Sequence, residues 1–144
     1  MCWEQDLKLS DVFEKLTIKI YNMKNYERKN FNFKEYDIED LDTKIKYEVK
    51  TDRMTNDTGN IIIEYECNNK PSGINATTAD YYIYYILDEA NHKYGYYEIP
   101  VSKIKKYIKN NKYHQKISGG DGNRMKGYLF KVETFEKYLM KTCA

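Results

Sequence analysis

The run YDIEDLDTKIKYEVKTDRMTNDTGNIIIEYE, Tyr36 to Glu66, decides the fold. At its centre is Ile45-Lys46-Tyr47-Glu48-Val49-Lys50-Thr51-Asp52. Alternate side chains of a strand point to opposite faces. Ile45, Tyr47 and Val49 therefore share one face, suited to a core, and Lys46, Glu48, Lys50 and Asp52 share the other. Upstream, Phe31 to Ile38 alternates more weakly and carries Asp37 near its end. The polar stretch Glu39 to Thr43 reads as a turn. It predicts a hairpin that brings Asp37 towards Glu48 and Lys50.

Two carboxylates on adjacent strands suit a hard divalent cation, which prefers oxygen ligands and, for magnesium, keeps several waters. A lysine beside them is placed to act on a water or on charge developing at phosphate. The same Lys-x-Glu-x-Lys-x-Asp face is also what a solvated strand of an antiparallel sheet displays, and both readings stand on the pattern alone.

Outward from this centre, Asp6 to Met23 predicts a helix whose Leu9, Phe13, Leu16 and Ile20 form one apolar stripe. Asn22 to Asn30 reads as a loop. Ile61 to Cys67 is β-branched and strand-like, with Ile61, Ile63 and Tyr65 on one face and Ile62, Glu64 and Glu66 on the other. Asn68 to Thr78 is a loop in which Lys70, Ser72 and Gly73 are suited to phosphate, because glycine admits close backbone approach and the other two donate. Asp80 to Leu87, DYYIYYIL, is apolar on both faces and predicts a central strand. Asp88 to Lys93 is a turn, and Tyr94 to Ile99 the returning strand.

Pro100 opens a second helix. Val101, Ile104, Tyr107 and Ile108 form its stripe, and Lys103, Lys105, Lys106, Lys109 and Lys112 cover the rest. Such a face either tracks a phosphate backbone or is simply solvated. Ile117 to Gly127, ISGGDGNRMKG, lacks the Gly-Lys-Ser/Thr ending of a P-loop; it reads as a lid bringing Arg124 and Lys126 to a substrate. A last strand, Tyr128 to Val132, and a short helix, Glu133 to Met140, complete the chain.

Composition fits one folded domain over residues 1–144. The chain is polar, with 32% charged residues, but 15% are aromatic and 16 residues are tyrosine, whereas disordered chains are poor in aromatics. Its 24 basic and 22 acidic residues leave a net charge of +2, which neither shows nor excludes nucleic-acid binding, because the distribution of charge matters more than its sum. Cys2, Cys67 and Cys143 are scattered, with no Cys-x-x-Cys pair and with His92 and His114 distant in sequence, so a zinc site is not expected. The scatter points to a reducing, intracellular compartment. No apolar run approaches the ~18 residues of a membrane span, and MCWEQDLKLS does not read as a signal peptide.

Asp37 with Glu48-Val49-Lys50 resembles the acid and E-x-K signature of the PD-(D/E)XK nuclease superfamily. Tyr36 stands where many members have proline. The order of EVKTDRMTNDTGNIIIEYECNNKPSGI, TTADYYIYYI and GGDGNRMKGYLF is similar to small nuclease-like proteins of phages, including Holliday-junction-resolvase-like ones, from Asp37 to the C-terminus.

The resemblance implies an α/β restriction-endonuclease-like core, αβββαβ, with a mixed sheet flanked by helices. It implies a magnesium- or manganese-dependent endonuclease acting on DNA, with branched or recombination intermediates among its substrates. Asp37, Glu48 and Lys50 would be catalytic, with Asp37, Glu48 and Glu64 as metal ligands. Glu14 would be the helix acid that joins the site in several relatives; an ordinary solvated helix acid is the other reading. For a phage- or virus-like protein the compartment becomes the host's cytoplasm or nucleus. Several small relatives work as dimers, so a homodimer is also expected. A non-catalytic nucleic-acid-binding or assembly protein on the same fold is the alternative, and a tyrosine-rich protein adaptor a third.

Overall fold

A computed structural model describes residues 7–143 except 121 and 123. It is an α/β structure with two sheets. Helix α1 (Leu7–Ile20) leads into β1 (Tyr26–Arg28), β2 (Ile38–Asp40) and β3 (Lys46–Asp52). After the short helix α2 (Thr55–Thr58) come β4 (Asn60–Cys67), β5 (Lys70–Pro71) and a 3-10 turn (Gly73–Asn75). The central hairpin β6 (Tyr81–Asp88) and β7 (Lys93–Pro100) follows, then α3 (Val101–Lys109), β8 (Gln115–Gly119), β9 (Met125–Lys131), a 3-10 segment (Val132–Tyr138) and β10 (Leu139–Lys141). Asp6, the expected start of the first helix, and Cys2 lie outside the described residues.

The first sheet is mixed, in the order β1-β2-β3-β6-β7-β10, with only the β3–β6 pair parallel. The second is antiparallel, β5-β4-β9-β8. A parallel pair requires a crossover, and here the crossover from β3 to β6 carries α2 and the first two strands of the second sheet.

Two cores follow from the alternation along β3 and β6. Tyr47, Val49, Ile83, Tyr85 and Leu87 face α1, where Leu9, Phe13, Leu16 and Ile20 meet them. Tyr82, Tyr84 and Ile86 face the second sheet, packing with Ile61, Ile63 and Phe130, and with Ile104 of α3. The strand DYYIYYIL is thus covered on both sides, as its composition predicts.

Several elements differ from expectation. Asn22 to Asn30 contains β1, three residues too short to show a period. Phe31 to Tyr36 is not a strand; its Phe33 and Tyr36 rings stack edge-to-face at 5.1 Å instead. The terminal helix expected over Glu133 to Met140 is the 3-10 segment followed by β10. β4, whose Glu64 and Glu66 would extend the acidic row if it paired with β3, lies instead in the second sheet. Cys67 is disulfide-bonded, against the reduced state that the scattered cysteines suggest, while Cys143 is a free thiol. Among the described residues no helix is long and apolar enough to cross a membrane.

Candidate active site

Asp37 is aimed by the junction of β2 and β3. Ile38 registers with Tyr47, yet the Asp37 N–H also donates to the Tyr47 carbonyl at 2.9 Å. Two residues share one partner, as in a β-bulge, a device that re-aims side chains. The chain before Asp37 leaves the sheet, and the Asp37 carboxylate Oδ2 accepts the Val49 N–H at 2.7 Å. The side chain thereby occupies a ladder position beside Glu48.

Glu48 is 7% exposed. The face that carries it is therefore no solvated strand face; the second sheet and the loop at 72–78 cover it. Lys50 Nζ lies 3.4 Å from Glu48 Oε2. The Thr77 hydroxyl reaches both the Glu35 carbonyl (2.8 Å) and Glu48 Oε1 (3.3 Å), and it also accepts the Ala79 N–H. A hydroxyl has one proton. With the shorter bond taking it, Glu48 Oε1 is fully satisfied only when Glu48 is protonated and donates to Thr77.

The electrostatics agree. Burial, reinforced by the charge on Asp37 and opposed by Lys50, pushes the Glu48 pKa up to about 7. Burial also raises that of Asp37, against Lys50 and the Val49 N–H. For Lys50, burial would lower the pKa, but Glu48, Asp37 and Glu64 outweigh it and hold it above the ordinary lysine value. Lys50 is thus an ammonium set beside one buried and one half-buried carboxyl group.

Glu14 enters from α1. Its pKa is pushed up to about 7, first by burial and then by Asp37. Arg28 of β1 holds it, Nε to Oε1 at 3.2 Å, and reaches Asp11 through Nη2 at 2.6 Å. Glu14 is therefore a part-buried neighbour of Asp37, not a solvated helix acid. Glu64 stands across the interface on β4, and its charge acts on Lys50 and Tyr82. A side chain at Gly73 (φ +49°) would meet the Glu64 carbonyl at 2.1 Å, so only glycine lets the loop that carries Thr77 press this closely.

Two tyrosines of β6 share the face of the acids. Tyr82 registers with Glu48 and Tyr84 with Lys50. The Tyr84 hydroxyl donates to Asp52 and accepts the Ile62 N–H, linking the two sheets. Tyr82 is 1% exposed and its hydroxyl has no partner. Arg28, Thr77 and Tyr82 are site residues that sequence reading did not single out; only the placement of Thr77 shortly before β6 gave any signal.

The residues expected to meet DNA are dispersed. On α3, Lys105, Lys106 and Lys109 are exposed and Lys103 half-buried, while Val101 and Ile104 are buried. None of these four lysines is in an ion pair among the described residues. Lys70 and Arg124 are exposed. Ser72 is turned inward with its hydroxyl unpartnered, so it is not displayed to a phosphate. Lys126 pairs with Glu66 at 3.2 Å.

As a metal centre, the described residues contain no group of three or more His, Cys, Asp or Glu side chains set to hold an ion. Asp37 and Glu48 remain an oxygen-donor pair, and magnesium is commonly held by one or two carboxylates with water completing its shell. That donor set fits the ion. No protein-family model matches the sequence, and no curated protein matches it.

Proposed function

We propose that this protein is a metal-dependent deoxyribonuclease with a restriction-endonuclease-like core. The observation that carries this reading is the convergence of Asp37, Glu48 and Lys50 on one part-buried site, with Glu48 at its buried end. An accidental row of surface charges would not be covered by a second sheet, nor would it hold two carboxylates with raised pKa values, a pattern that concentrates at functional sites.

Asp37 and Glu48 would hold magnesium or manganese, which when bound lowers the pKa of its water and offsets charge on phosphate. Val49 N–H and Thr77 orient the two acids. Lys50, 40% exposed at its side chain, is the group able to turn from Glu48 towards an incoming phosphate. The α3 lysines supply sequence-independent interactions with the DNA backbone.

The deciding experiment is a cleavage assay on linear, circular and branched DNA with magnesium, manganese or EDTA; metal-dependent cleavage supports the reading. Calorimetric titration with manganese should show binding that the Asp37→Ala, Glu48→Ala double variant abolishes. Unchanged binding in that variant would remove the metal from this site. Replacing Lys105 and Lys109 by Ala should weaken DNA binding across all sequences and flatten its salt dependence by about one unit of slope for each phosphate no longer neutralised. An unaltered slope would reduce α3 to a solvated surface.

A further inference from the structure

Four buried side-chain atoms lack a hydrogen-bond partner among the described residues: Thr55 Oγ1, Asn60 Oδ1, Ser72 Oγ and Tyr82 Oη. Buried polar groups are normally satisfied, and an exception calls for a specific cause. Tyr82 differs from the other three in its position. It stands on β6 in register with Glu48 of β3, so its ring projects beside that carboxylate into the space between the sheets. Asp37, Glu48 and Glu64 all act on its hydroxyl. Yet Glu48 is already engaged by Lys50 and Thr77, and Asp37 by Val49.

We infer that Tyr82 is a positioning residue whose hydroxyl donates to an oxygen in the hydration shell of a divalent cation held by Asp37 and Glu48. The inference rests on the metal-dependent reading above and extends it to a residue on a third strand. A rigid aromatic side chain, in register with Ile99 and within the same buried cluster as Ile61 and Ile63, holds its hydroxyl without freedom to seek solvent. Magnesium dehydrates reluctantly and keeps its waters. A fixed donor aimed at one of them orders the shell, as outer-shell partners do at other metal centres. Tyr84, one turn of the alternation further along β6, is the built-in contrast, because its hydroxyl is already spent between Asp52 and the Ile62 N–H.

The test is calorimetric titration of the wild type, Tyr82→Phe and Tyr84→Phe with manganese alone, together with metal-free melting curves. Tyr82→Phe deletes only the hydroxyl. It should melt no lower than the wild type without metal, since a buried unpaired group is removed, and bind manganese about 10- to 100-fold more weakly. Tyr84→Phe should melt lower and keep its manganese affinity. If the wild type binds manganese and Tyr82→Phe binds it equally well, the Tyr82 assignment falls while the metal site stands. Equal weakening in both variants also overturns it, by reducing the effect to packing. A wild type that binds no manganese overturns both readings together.

Discussion

Lys50→Ala should lose DNA cleavage by about a hundredfold or more while still binding DNA. The ammonium serves as counter-ion to Glu48 and Asp37 in the metal-free protein. In the proposed reaction it acts on the transition state, orienting water or offsetting charge on the phosphate. Interactions made only there lower turnover and leave ground-state binding nearly intact.

Removing the ammonium also frees Glu48 Oε2, which it now approaches to 3.4 Å. Manganese should therefore bind the variant at least as tightly as the wild type. Its fold should survive best near pH 6, below the raised pKa of Glu48, where that carboxyl takes up a proton. Lys50→Arg should not restore cleavage, because a planar, bulkier guanidinium cannot occupy the position of a compact ammonium beside Glu48. Single-turnover cleavage, manganese titration and melting at pH 6 form the test. A variant that cleaves normally but melts early at that pH would make Lys50 a structural cross-strand partner only.

Glu48→Gln should stabilise the protein above pH 7. The folded-state pKa of Glu48 is raised, so its contribution is most favourable when the carboxyl is protonated. That contribution is fully present below the unfolded value, 4.5, and is lost as pH rises to about 7. A shift of that size corresponds to roughly 3 kcal/mol, or on the order of 10 °C in melting temperature for a chain of this length. Glu14 adds a dependence of the same sign. Melting temperatures from pH 5 to 8 should fall for the wild type and fall less steeply in Glu48→Gln, where the Glu14 dependence remains. A variant less stable than wild type at pH 8, with an unchanged pH slope, would show that Glu48 is held ionised by Lys50.

Local signals in the sequence located much of this arrangement. Alternation picked out β3, the tyrosine-rich run picked out β6 as doubly covered, and the polar stretch Glu39 to Thr43 predicted the hairpin that brings Asp37 to Glu48, although its first two residues belong to β2. The burial of Glu48 was not legible. A Lys-x-Glu-x-Lys-x-Asp face looks solvated in one dimension, and the residues that close on it, Glu64 of β4 and Thr77 of the following loop, come from later segments of the chain. The split into two sheets was hidden for the same reason, since β4 carries β-branched residues that suit either sheet. Tyr82 was indistinct among sixteen tyrosines; only its register with Glu48 separates it from Tyr81 and Tyr84. The short strand β1 and its Arg28 have no periodicity to detect, yet Arg28 is what ties Glu14 beside the acids.

The four outer strands bear on how copies of the chain meet. An unpaired strand edge is a template for joining another sheet, and natural proteins blunt it with short strands, lysine and proline. β1 and β10 bound the six-stranded sheet with three residues each, and β10 ends in Lys141. β5 is two residues, Lys70 and Pro71, and β8 carries the exposed Lys116. Fusion of sheets into a continuous ribbon is thus disfavoured at every margin. Concentrated solutions should therefore resist fibrillar association through any of these four edges.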